Sequence, residues 1–215
     1  TSVSVSGSAA FEAGINVEAT GDVTGMALSD AGATAVAAAT GIDGGDNDDS
    51  INNESTGAVI LKSDATATCV AVGLNVAGKV SYAKNEEEEE EASATEEDAS
   101  AGSIDGSALS ASSATANAEA TGIDGGGGAD SITNRAVISA DVDAGAIAVS
   151  VSGSAAFEAG INVAATGDVT GAALSDAGAT ANAAAVGING GEGGGSIRNE
   201  ATGSVLLWSD ATATS

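Results

Sequence analysis

Histidine and proline are absent from the chain, cysteine occurs once, and only four of 215 residues are aromatic. Without His, and with a Cys that does not recur, a His-dependent triad or a His/Cys zinc site has no ligands to draw on. Two-carboxylate hydrolysis of sugars wants aromatic platforms in a cleft, which two Phe, one Tyr and one Trp do not furnish. No Gly-Lys-Ser/Thr occurs, so a P-loop is missing. An enzyme is not expected. Basic residues are also scarce, five against 31 acidic, for a formal net charge of −26. Such a surface cannot neutralise phosphates, which excludes nucleic acid and anionic membrane surfaces as partners. It suits divalent cations or a high-salt medium. No run of 18 apolar residues is present and no leader pattern is seen, so membrane insertion is not expected.

The 43% of hydrophobic residues are mostly Ala and Val. Burying an Ala methyl is worth roughly 0.8 kcal/mol, so a bulky globular core is out of reach. Stability must come from thin, close-packed sheets and long backbone ladders.

Residues 3–69 return almost unchanged as residues 149–215, Phe11 reappearing as Phe157 at an offset of 146. The chain divides accordingly into a repeat copy at 1–69 (equivalent to 147–215), the second half of the period at 70–146, and the start of the next period at 147–215. A repeat of this kind predicts a window onto a longer periodic array, structural or adhesive in role. Cys69 becomes Ser215 in the later copy, so neither a disulfide nor a nucleophile is expected there. Gly41-Ile-Asp-Gly-Gly recurs at Gly122 and, with Asn for Asp, at Gly187, at spacings of 81 and 65. The 16-residue difference is close to the acidic segment at about 85–100, which reads as an insertion into one half-repeat and a solvated loop. A low-affinity cation sponge is its functional alternative.

From Val3 to Gly41 every odd position except Ser29 is apolar or Gly, while even positions carry Ser, Thr, Asn, Asp and Glu. Strict alternation is the period of a strand with one buried face. It continues through apparent turns, which predicts an all-β repeat β-solenoid, parallel β-helix-like, with a narrow Ala/Gly/Val core. Tandem β-sandwich repeats are the alternative. Asp22, Asp30, Asp168 and Asp176 fall beside Gly turns, where turn chemistry is the expected job. Thr66 and Thr68 share one face like a short ice-binding ladder, and Asn53-Glu54-Ser55 is a glycosylation sequon.

The glycine-rich stretch from Gly125 to Thr133 fits the pattern G-G-x-G-x-D-x-U-x. This resembles the calcium-binding nonapeptide of RTX proteins, the β-roll family. The resemblance implies Asp130 as a Ca²⁺ ligand and Ile132 as a core plug. The stretch from Gly44 to Asn52 matches with Asn47 in place of the third Gly; there Asp49 is the implied ligand and Ile51 the plug, with Asp43, Asp46 and Asp48 adding oxygens. Asp124 is the equivalent of Asp43. The third stretch has Gly195 where the Asp belongs, leaving Glu192 as the substitute. Plain glycine corners with incidental acids are the alternative reading of the same residues.

These features predict an extracellular or cell-surface structural protein: a subunit or segment of a calcium-stabilised filament, sheath or adhesin stalk that associates with itself. A surface binder of ice or carbohydrate on the same scaffold is the second expectation. The acidic surface protein of a halophile, binding no specific ion, is the third.

Overall fold

A computed structural model describes residues 1–15, 22–82, 99–100, 103–161, 164–165 and 168–215. The acidic run from Glu86 to Asp98, read above as a solvated loop or cation sponge, lies outside them. The described residues form strands and no helix: β1 (Ser2–Ile15), β2 (Val23–Asp43), β3 (Ser50–Asn53), β4 (Ala58–Tyr82), β5 (Ala99–Ser100), β6 (Ile104–Asp124), β7 (Ser131–Asn134), β8 (Val137–Ile161), β9 (Ala164–Ala165), β10 (Val169–Asn189), β11 (Ser196–Asn199) and β12 (Ser204–Thr214). With no Pro to interrupt a ladder, β4 and β8 run unbroken for 25 residues each, about 80 Å at ~3.3 Å per residue.

The strands form sheets in the orders β1-β4-β8-β12, β10-β6-β2 and β11-β7-β3, with β5 paired to β9. Every pairing is parallel. The chain thus makes three passes, β2-β3-β4, β6-β7-β8 and β10-β11-β12, each laid in register on the one before. Parallel stacking of sequence-distant strands is consistent with a β-solenoid and departs from the antiparallel sheets that tandem sandwiches require.

The registers also locate the extra residues between half-repeats. Ile15 pairs with Tyr82, an offset of 67, and Val23 with Ile104, an offset of 81. Fourteen residues therefore enter the connection between β4 and β6. Asn53 pairs with Asn134 at 81 but Ala58 with Val137 at 79, so two more belong to the β3–β4 loop. The 16-residue difference is not a single insertion.

Between the two large sheets lies a core of alanines. Ala65, Ala67, Ala116, Ala118, Ala144 and Ala146 are buried beside Cys69 and Val142. A second cluster of Ile51, Val59, Ile123, Ile132 and Ile138 fills the end beside the short sheet. Ile132 and Ile51 are buried there. Cys69 is a free, fully buried thiol.

One expectation from the alternation is reversed. On β2 the odd positions face inward, Val23 and Ala27 among them, and Ser29 is buried with them. On β1 the even positions face inward, so Ser4, Ser6 and Ser8 lie within and Val3, Val5 and Phe11 face out. The inward parity thus differs between β1 and β2, so one alternation does not describe both strands. The reason is space. Across this half of the molecule the sheets approach closely enough for the Ser29 hydroxyl to donate to the Ser4 carbonyl oxygen at 2.9 Å. The Ser150 hydroxyl likewise reaches the Ser110 carbonyl at 2.6 Å, and Asn75 donates to the Gly25 carbonyl at 3.0 Å. Ser4, Ser29, Ser110 and Ser150 fit this gap and find partners in it, whereas the Ser6 hydroxyl lies buried without one.

Candidate functional site

Three glycine loops, 44–49, 125–130 and 190–195, lead from the β2/β6/β10 sheet into the short one. Each opens on the same local hydrogen bond. Side-chain oxygens of Asp43, Asp124 and Asn189 accept the N–H of Gly45, Gly126 and Gly191, in each case at 3.1 Å. This is an Asx turn. The donating glycines have φ of +92°, +81° and +74°, a left-handed backbone that side chains disfavour. A Cβ at Gly126 would also run into the Gly45 carbonyl oxygen below it, so stacking and turn geometry both demand Gly.

The residues singled out as Ca²⁺ ligands fall into three groups. Asp43 and Asp124 supply the Asx turns, and Asp124 also accepts from the Asn189 side chain at 3.0 Å. Asp48 accepts the N–H of Ala129 at 2.7 Å, and Asp130 Oδ1 accepts the N–H of Asp49 at 2.9 Å. Asp46, Asn47 and Glu192 are exposed; the backbone of Glu192 continues the ladder, its N–H donating to the Gly126 carbonyl at 2.8 Å. Turn chemistry thus occupies part of the set.

What turn chemistry does not occupy is the second oxygen of Asp49 and of Asp130. Both Oδ2 atoms are buried with no hydrogen-bond partner, and Asp130 is only 2% exposed. A Cβ placed on Gly125 would stand 2.6 Å from Asp130 Oδ2 and 2.9 Å from the Gly190 carbonyl oxygen. Two acceptors therefore converge beside Gly125 with no donor between them, an arrangement that favours a cation. Among the described residues no three acidic, His or Cys side chains gather into a metal cage. A hard cation beside Gly125 would find the Asp130 carboxylate and the Gly190 carbonyl oxygen there.

Beyond the glycine loops the short sheet carries a ladder that the motif search missed. Asn53 donates its side-chain amide to Asn134, and Asn134 to Asn199, each at 2.8 Å. Asn53 is 5% exposed, which closes the glycosylation reading of its sequon. The signal was available, since Asn53, Asn134 and Asn199 recur at the 81 and 65 spacings of the glycine motif. Next to it Arg135 pairs with Glu200 through two hydrogen bonds of 2.9 and 3.1 Å and reaches Glu54 at 3.4 Å. The hydrogen bonds from Arg135 hold the Glu200 carboxyl below its usual range, and Glu200 raises Arg135 in turn.

At the other end Asp22 accepts both the N–H and the hydroxyl of Ser103, at 2.8 and 3.0 Å. The backbone hydrogen bond is the main reason its carboxyl lies below the ordinary value. On the outer face Asp64, Asp143 and Asp210 stack in register, with Lys62 3.3 Å from Asp64. Thr66 and Thr68 lie in columns interrupted by Gly145 and Ile147, so they begin no flat Thr array. Comparison with protein-family models, curated proteins and solved structures finds no match.

Proposed function

We propose that the chain is a stretch of a non-enzymatic, extracellular structural repeat protein, a β-solenoid that acts as a calcium-stabilised filament, sheath or stalk. One observation carries the reading. β6 lies between β2 and β10, two near-copies at an offset of 146, and holds each in unbroken register. An edge that meets one copy meets the next equally well, so the stack extends without a natural stop. The resemblance of the glycine loops to RTX nonapeptides, and the unpartnered oxygens of Asp130 and Asp49, support Ca²⁺ as the ion that offsets the negative surface.

Thermal melting with Ca²⁺ and with chelator tests the calcium half. Ca²⁺ at 100 times its Kd stabilises by about 2.7 kcal/mol per site, a rise of roughly 2–4 °C per kcal/mol for a chain of this size. Asp130→Asn keeps the acceptor for Asp49 and removes the charge, so it should abolish the rise. Equal melting of both proteins with and without Ca²⁺ would overturn the calcium assignment. Electron microscopy tests the other half: filaments or laterally ordered sheets are expected, and dispersed particles at every concentration would remove it.

A further inference from the structure

The outer face of the β1/β4/β8 sheet, on the half remote from the glycine loops, is more apolar than the interior beneath it. Six columns of three in-register residues, from Val3–Val70–Val149 to Ala13–Val80–Ala159, contain only Val, Leu, Phe, Ala and Gly. Val5 is 70% exposed, Phe11 62% and Leu74 52%. In a molecule of net charge −26 this face carries no charge at all. At ~6.6 Å per column and ~4.8 Å per strand it covers about 570 Å², at the upper end of what a monomer leaves bare.

Its relief identifies what covers it. Phe11 and Phe157 close over Gly78 with ring centroids 5.9 Å apart, which makes a raised column. Four residues back along the strands, Gly7 and Gly153 flank Leu74, a lower column. Ala9–Val76–Ala155 lies midway between them. A two-fold axis through that middle column, parallel to the stacking direction, sets the Phe pair of one copy against the Gly–Leu–Gly column of the other, twice over. The other in-plane axis, along the strands, sets Phe against Phe and leaves the low columns facing each other across a void.

We infer that this face is an isologous interface with a second copy of the chain, the two sheets packed outer face to outer face about the axis through Val76. Two copies bury about 1,100 Å² in this way, enough for a specific dimer. The interface lengthens with every further pass stacked onto the chain. It rests on the sheet registers and not on calcium, and it joins copies sideways, at right angles to growth along the stack.

Sedimentation of the intact chain should show a dimer whose Kd rises at least about 100-fold in Val76→Glu, because each dimer then buries two charges. Far-UV circular dichroism should be unchanged, since Val76 points out of the fold. In a Cys69→Ser background, Val76→Cys should be joined across the ~10 Å between sheets by a short thiol-reactive cross-linker, and Leu74→Cys, displaced from the axis along the strand, should not. A monomeric wild type, or a Val76→Glu protein that still dimerises, overturns the inference; the latter would mark association through open strand edges instead. Efficient cross-linking through Leu74→Cys, or none through Val76→Cys, overturns the axis.

Discussion

Lys79 is completely buried, and on the inner side of its sheet it lies in register between Glu12 and Glu158. Two carboxylates on neighbouring strands of a thin interior repel each other, and one ammonium between them reverses the sign of both contacts. Lys79→Met keeps the length of the side chain and removes the charge, leaving the pair uncompensated. A loss of about 3–5 kcal/mol is expected from denaturant unfolding. A midpoint equal to that of the wild type would show that the column carries no net coupling. Arg135 plays the matching role between Glu54 and Glu200 at the surface, where solvent screens the charges and far less depends on them.

At the scale of the element, several columns of the β1/β4/β8 sheet are complementary and not identical. Phe11 and Phe157 bracket Gly78, Ser8 and Ser154 bracket Asn75, and Gly7 and Gly153 bracket Leu74. The short sheet instead repeats one residue, and its Asn column is held by amide-to-amide hydrogen bonds. Asn134→Ala cuts that column in the middle and leaves Asn53 and Asn199 without their shared partner. A buried group so orphaned costs about 1–3 kcal/mol, so hydrogen exchange should quicken first at β3, β7 and β11. Exchange that quickens uniformly along the long strands would place the effect elsewhere. Parallel, in-register β structure was legible in the sequence because the 146-residue echo and the two-residue period both survive substitution. Which face lies inward was not. Alternation states that Val3, Val5 and Phe11 share a side, but which side faces in is decided by the gap between sheets, lined by Ser4, Ser8, Ser29 and Asn75 over one stretch and by Val23, Ile104 and Lys79 farther along. The glycine loops were legible as loops, whereas their aspartates divide between Asx turns and free oxygens according to backbone positions that composition does not record.

For the whole molecule the dominant electrostatic fact is an excess of 26 negative charges. Raising ionic strength from 0.01 to 0.15 M shortens the Debye length from ~30 to ~8 Å. Thermal stability should therefore rise with NaCl, without the ion specificity expected of Ca²⁺ at Asp130. A melting temperature that falls with salt would mean that Arg135, Lys62 and Lys79 contribute more by attraction than the acids lose by repulsion.

The bracketing of Gly78 by Phe and of Lys79 by Glu fixes how the stack can change length. Removing one pass would bring Phe against Phe and Glu against Glu on facing edges, while removing two leaves every neighbour as it was. The protein can count only in twos.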